Sequence, residues 1–256
     1  MNLRLSFLPA SMALAITCAH AQDLEVLRVY SSNGVRVVLQ EIQPQIEQAI
    51  GKRISFEFST SRTLTDQIEA GEVFDVAILT PALIDGLIVS QHVVSGSRYD
   101  FSRVGIGVGS KQGVRARSVA TLDDLRQTFL EAKSIAFGAN GQSRRTNEGS
   151  FEALGIADEM LPKTRLTGPG EAPGLVAAGE IGLVLTLVSE LLREPGVQFL
   201  GPLPPEVQGY VDFSAGVSAN SQDSVTATKL INFLYTAAFI DALEKHGLEP
   251  IEFPTG

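Results

Sequence analysis

The sequence predicts an α/β protein built around a parallel sheet, and three observations lead there. A strand-like apolar run followed by a segment of helical spacing recurs from residue 24 to beyond residue 79, the pattern of βαβ units. Small polar residues punctuate each strand-to-helix turn. The composition, 256 residues with 44% hydrophobic and 19% charged, is that of an ordinary globular chain and excludes a fibrous or disordered one. At roughly 100–200 residues per domain, the length allows one large domain or two small ones.

The first 21 residues carry Arg4 as their only charge, then an apolar run to Cys18, then Ala19-His20-Ala21. These are the three regions of a secretory signal peptide, and the run is too short to cross a bilayer comfortably. Ala15-Ile16-Thr17 is a poor match to a lipidation signal at Cys18. The mature chain is expected to start near Gln22 in the periplasm, with no membrane span. The sole cysteine leaves with the leader, which excludes disulfides and thiolate chemistry. Twenty basic against twenty-nine acidic residues give −9, the wrong sign for a general nucleic-acid binder. An anionic ligand would therefore need local cations against the global field.

Residues 24–30 read as a strand and Ser31-Ser32-Asn33-Gly34 as a capping turn. Val35, Val38, Leu39, Ile42, Ile46 and Ile50 then recur at helical spacing up to Gly51, with Pro44 as the expected weak point. Ile54, Phe56 and Phe58 alternate as a second strand. Residues 59–61 turn into a helix carrying Leu64 and Ile68, which stops at Gly71. Residues 73–79 form a third strand before Thr80-Pro81 and another helix. Further on, 104–109 reads as a strand, Thr121 to Asp124 as a helix start, and 134–137, 183–187 and 211–217 as strands; helix over 225–245 closes the chain. Gly105, Gly107 and Gly109 imitate a dinucleotide loop, but no helix follows them directly.

Three turns, at 31–34, 59–62 and 138–147, share one description: a strand ends, small polar residues follow, a helix begins. A parallel sheet gathers such turns on one edge, where helix N-termini favour anions. Gly141-Gln142-Ser143-Arg144-Arg145-Thr146-Asn147-Glu148 is the most unusual segment. Its guanidinium groups suit carboxylates, and Arg62 in the second turn is placed to face them across a cleft. Outside the leader only His92 and His246 remain; no metal cluster is readable, and no serine nucleophile elbow occurs.

Val29-Tyr30-Ser31-Ser32, Phe58 to Leu64 with Gln67 to Gly71, Gly96-Ser97-Arg98 with Val104 to Val108, and Gly201 to Pro204 with Phe213 to Gly216 resemble the periplasmic molybdate-binding protein family. The resemblance implies a two-lobed type 2 periplasmic binding fold with two crossing strands and a ligand cleft between the lobes. Lobe 1 is expected over 22–103 and 218–256, and lobe 2 over 104–217, in a monomer. A ligand serine of the family falls on Ser61. Another falls on Gly34, with Ser31, Ser32 or Asn33 as substitutes, and the ligand tyrosine falls on Leu185. An unmet hydrogen bond costs on the order of 1–3 kcal/mol, so these departures disfavour molybdate, and the three arginines favour a larger anion.

The resemblance extends to the aconitate isomerases within that family, which interconvert trans- and cis-aconitate. It implies an allylic 1,3 proton shift with no cofactor and no metal. Arg62, Arg144 and Arg145 would hold carboxylates and strengthen their grip as charge develops. Ser31, Ser32, Asn33, Ser61, Thr80, Thr146, Asn147 and Tyr210 are the expected positioning groups. Glu148 is the candidate proton carrier, with Tyr30 and Tyr210 as alternatives, although neighbouring arginines would depress a carboxylate that needs a raised pKa. The rival reading is a non-catalytic receptor that delivers a polycarboxylate or oxyanion to a transporter permease.

Overall fold

β1 (Val26–Ser32) opens the described part of the chain, residues 26–251 of a computed structural model. The leader expected over residues 1–21 lies outside the described residues. After β1, a single 3₁₀ turn (Asn33–Val35) leads into α1 (Arg36–Ile50), which buries Val38, Leu39, Ile42, Ile46 and Ile50. These recur every three to four residues, so one helical face turns inward. Gly51, at a left-handed φ of 73°, closes it. Pro44 stays inside α1 on its exposed face, where the unmatched carbonyl one turn back can bond to water.

β2 (Arg53–Ser59), α2 (Ser61–Glu69), β3 (Val76–Leu79) and α3 (Pro81–Val89) follow in the expected alternation. β1 pairs in parallel with both β2 and β3. The third strand starts at Val76 because Val73 is exposed to solvent.

The second half contains β4 (Tyr99–Lys111), α4 (Leu122–Glu131), β5 (Ile135–Gly138), α5 (Arg144–Ala153), α6 (Ala157–Met160) and β6 (Thr164–Thr167). After these come α7 (Ala172–Ala178), β7 (Leu183–Leu187), α8 (Val188–Arg193), β8 (Val197–Pro202), β9 (Tyr210–Val217), α9 (Ser224–Phe233), α10 (Ala237–Lys245) and β10 (Glu249–Pro250). The strand order is β2-β1-β3-β9-β4-β7-β5-β6, with β8 and β10 also on β4. β5 lies parallel to β6 and β7. The sheet is therefore mixed, not uniformly parallel: β9 runs antiparallel to β3 and β4, and β4 antiparallel to β7.

β4 is the strand that joins the two lobes. From Tyr99 to Gly105 it pairs with β9, and from Ile106 onward with β7. Gly107 and Gly109 serve packing, since a Cβ on Gly109 would sit 2.8 Å from Val197 Cγ1 and 2.9 Å from Leu191 Cδ2. The glycines let β8 and α8 close onto the strand. The helical stretch expected over 225–245 is divided between two helices. Leu230, Ile231 and Leu234 continue to Phe239, Ala242 and Leu243 with a one-residue slip. A continuous helix could not bury both sets on one face.

Rings of Phe129 on α4 and Phe151 on α5 meet edge to face at 5.4 Å, which pins α5 to the core. Burying each such side chain contributes roughly 1.5–3 kcal/mol. Among the described residues, no helix is long and apolar enough to cross a membrane.

Candidate functional site

The carboxyl ends of β1, β2, β5, β6 and β7 converge on a cavity of about 280 Å³. This is where an open α/β sheet presents its turns to a ligand. One lobe contributes Ser32, Asn33, Thr60 and Ser61; the other contributes the 138–143 turn, the 167–173 segment, and Thr186, Leu187 and Glu190. The lobes touch here. Ser189 Oγ donates to the Gly34 carbonyl at 2.7 Å, and a Cβ on Gly170 would lie 3.4 Å from Asn33 Nδ2. All three polar turns singled out in the sequence thus reach one space.

Local sequence explains how the wall is presented. Thr60 caps α2 by accepting the Thr63 N–H at 3.2 Å, so Ser61 begins the helix and turns inward at 2% exposure. Its hydroxyl and the Asn33 Oδ1 are both buried without a hydrogen-bond partner. Buried polar atoms are rarely left so, because each costs on the order of 1–3 kcal/mol. Two of them in one cavity wall are suited to a polar ligand.

Glu190 was not singled out in the sequence. It is 9% exposed, lines the cavity, and accepts a hydrogen bond from Thr186 Oγ1 near the end of β7. Burial pushes its carboxyl above the usual range, opposed by the Thr186 bond and by Arg193 and Arg36. Arg36 is itself pushed down by burial, and next by Arg193. Its guanidinium lies 4.7 Å from the centre of the Phe58 ring. The readable signal was an acid amid apolar residues in Val188-Ser189-Glu190-Leu191-Leu192, a pattern that an ordinary amphipathic helix also produces.

The arginines gather beside the cavity rather than within it. Arg62, Arg144, Arg145 and Glu148 line an open cleft of about 620 Å³, which shares Asn140, Gly141 and Gln142 with the cavity wall. α5 begins at Arg144, four residues earlier than the Glu148 turn expected, so both arginines occupy its first turn. Cations are disfavoured at the positive end of a helix, and Arg144 folds back. Its Nε donates to Glu148 Oε1 at 2.8 Å and its Nη1 to the Ala139 carbonyl at 2.9 Å. Arg62 pairs with Asp66 at 2.8 Å, and Arg145 is exposed.

The remaining expected groups lie off the cavity wall. Ser31 is buried in β1 and donates to the Ser32 carbonyl. Thr80 is the N-cap of α3. Thr146 packs over Gly209, and Asn147 Nδ2 ties α5 to the Leu185 carbonyl at 3.2 Å. Tyr210 is half-exposed beneath Arg103, and Tyr30 packs on Phe74. Gly34 has no room for a serine side chain: a Cβ there would run into the Phe213 ring and lie 2.7 Å from Leu187 Cδ1. Leu185 is fully buried.

The family model for bacterial extracellular solute-binding proteins matches residues 27–249. The chain belongs to that family. An aconitate isomerase from Pseudomonas sp is 25% identical over 236 residues, covering 90% of each chain. The periplasmic molybdate-binding protein of Azotobacter vinelandii superposes with a TM-score of 0.76 at 13% identity, over 88% of this chain and all of the other. The sulfate-binding protein of Mycobacterium tuberculosis gives 0.70 at 14%, over 89% and 87%. These likenesses establish the two-lobed α/β fold of periplasmic binding proteins.

Proposed function

We propose that this protein is a periplasmic isomerase that interconverts trans- and cis-aconitate by an allylic 1,3 proton shift. The observation that carries this reading is the cavity between the lobes. Its volume exceeds what a compact tetrahedral oxyanion needs, and its wall presents the unpartnered Ser61 hydroxyl and the unpartnered Asn33 amide oxygen. The 25% likeness to an aconitate isomerase over nine-tenths of both chains supports it.

In this reading the Ser32 and Ser61 hydroxyls and the Asn33 Nδ2 donate to one carboxylate inside the cavity, while Arg62, Arg144 and Arg145 attract the others at the rim. A proton leaves the methylene carbon and the electron pair spreads over the allylic system into the flanking carboxylate. A proton then returns at the former vinylic carbon, moving the double bond. Donors fixed around the carboxylates gain strength as that charge develops, which lowers the barrier. Glu148 is not retained as the carrier, because Arg144 holds it in a half-exposed ion pair outside the cavity.

A receptor for an organic anion is the second reading, favoured by the likeness to oxyanion-binding proteins. A proton NMR time course with trans-aconitate in deuterated buffer separates the two. We expect cis-aconitate to appear at catalytic protein concentration. Ligand line-broadening that saturates at one equivalent without conversion would establish the receptor instead.

A further inference from the structure

We propose that Glu190 is the proton carrier of this isomerase, taking the proton from one allylic carbon and returning it to the other, with Thr186 as its positioning residue. The inference rests on the isomerase reading above. Among the residues lining the cavity, Glu190 alone has a side chain that titrates; the others are hydroxyls, amides, glycines and apolar groups. A hydroxyl or amide cannot take a proton from carbon near neutrality, whereas a positioned carboxylate can.

Its presence also needs a reason in a cavity suited to anions. A carboxylate facing a polycarboxylate repels it, so a wall evolved only to bind would do better without one. Burial eases that repulsion by raising its pKa, and the ionised fraction is the form that takes the proton from carbon. The charged groups that face it are Arg193 on its own helix and Arg36 from α1, with Glu57 of β2 beyond Arg36. Both arginines act the other way and favour the carboxylate. Thr186 engages Oε2, leaving Oε1 for the exchange.

The step balances without a co-reactant. Starting from the ionised Glu190 carboxylate, the methylene C–H bond breaks as the Glu190 O–H bond forms, and the electron pair enters the allylic system. The O–H bond then breaks as the new C–H bond forms at the far carbon. One residue acts as base and then as acid, which a pKa near the operating pH serves best.

The test compares the wild-type mature protein with Glu190→Gln and Thr186→Val, using trans-aconitate as the probe for both binding and conversion. We expect Glu190→Gln to lose about 100-fold or more in kcat while binding trans-aconitate at least as tightly as wild type. Conversion within a few-fold of wild type would overturn the proposal. Thr186→Val removes a bond that favours the carboxylate, so the rising limb of the pH profile should move to higher pH. A limb that stays in place would overturn the positioning role, and this readout stands even if Glu190→Gln fails to fold. A wild-type protein that binds trans-aconitate without converting it would remove the isomerase reading itself, and Glu190's role with it.

Discussion

Ser61 and Arg62 are adjacent in sequence and belong to different regions of the molecule. Ser61 faces the cavity at 2% exposure with its hydroxyl unpartnered. Arg62 faces the rim, its side chain 55% exposed and paired with Asp66. The same division recurs at α5, where Ser143 lines the cavity and Arg144 and Arg145 line the open cleft. Successive helix positions are rotated by about 100°, so one step along the chain moves a side chain between media. A hydrogen bond made inside a low-dielectric wall is stronger than one made in water, and an exposed ion pair contributes about 0–1 kcal/mol. The residues that stand out by charge are therefore not the ones placed to grip a ligand hardest.

Ser61→Ala should separate the two regions most sharply. A hydrogen bond to a charged partner contributes about 1.5–3 kcal/mol, so trans-aconitate affinity should fall by about one to two orders of magnitude. The free protein should keep or slightly raise its Tm, since the substitution deletes a buried hydroxyl that has no partner. Calorimetric titration and thermal melts of the variant measure both. A Tm loss in step with the affinity loss would mean that Ser61 is a structural residue.

The wall and the rim should also differ in their tolerance of added atoms. Gly34→Ala drives a methyl group into Phe213 and Leu187 where the lobes meet, and overpacking of this kind typically costs about 1–3 kcal/mol. Gly149→Ala, on the rim side of α5, meets nothing within 4 Å. Alanine there should stabilise by about 0.5–1 kcal/mol through helix propensity. Denaturant melts of the pair should move in opposite directions, and equal shifts would show that the wall is no tighter than the rim.

This contrast also explains what was legible in the sequence. The alternation of β1, α1, β2, α2 and β3 shows because each buries a periodic set, and Gly51 ends α1 for a backbone reason that a sequence displays. β8 stayed hidden because its burial follows no alternation. The role of β4 as the strand shared by two lobes depends on partners more than seventy residues away. At the site, the turns at Ser32-Asn33 and Thr60-Ser61 were readable from strand-then-helix patterning alone. Glu190 was not, because nothing in its neighbours reveals that its helix packs against the 3₁₀ turn of the other lobe. The start of α5 at Arg144 was misjudged because two arginines make a poor helix N-terminus, and the side-chain bonds of Arg144 that compensate are not visible in sequence.

Rim substitutions should have the smallest effects, and effects of a different kind. Arg62→Ala removes one exposed cation and frees Asp66; stability should change by less than about 1 kcal/mol. On a chain of net charge −9, the lost cation matters chiefly during approach of the anion, so the association rate should drop a few-fold at low salt. Raising the ionic strength to about 0.5 M shortens the screening length to a few ångströms and should bring wild type and variant together. The Ser61→Ala deficit, made inside the wall, should persist at the same salt. Stopped-flow binding across a salt series measures both. If the Arg62→Ala deficit also survives high salt, that guanidinium is in direct contact with the bound ligand, and the boundary between rim and cavity moves outward to include it.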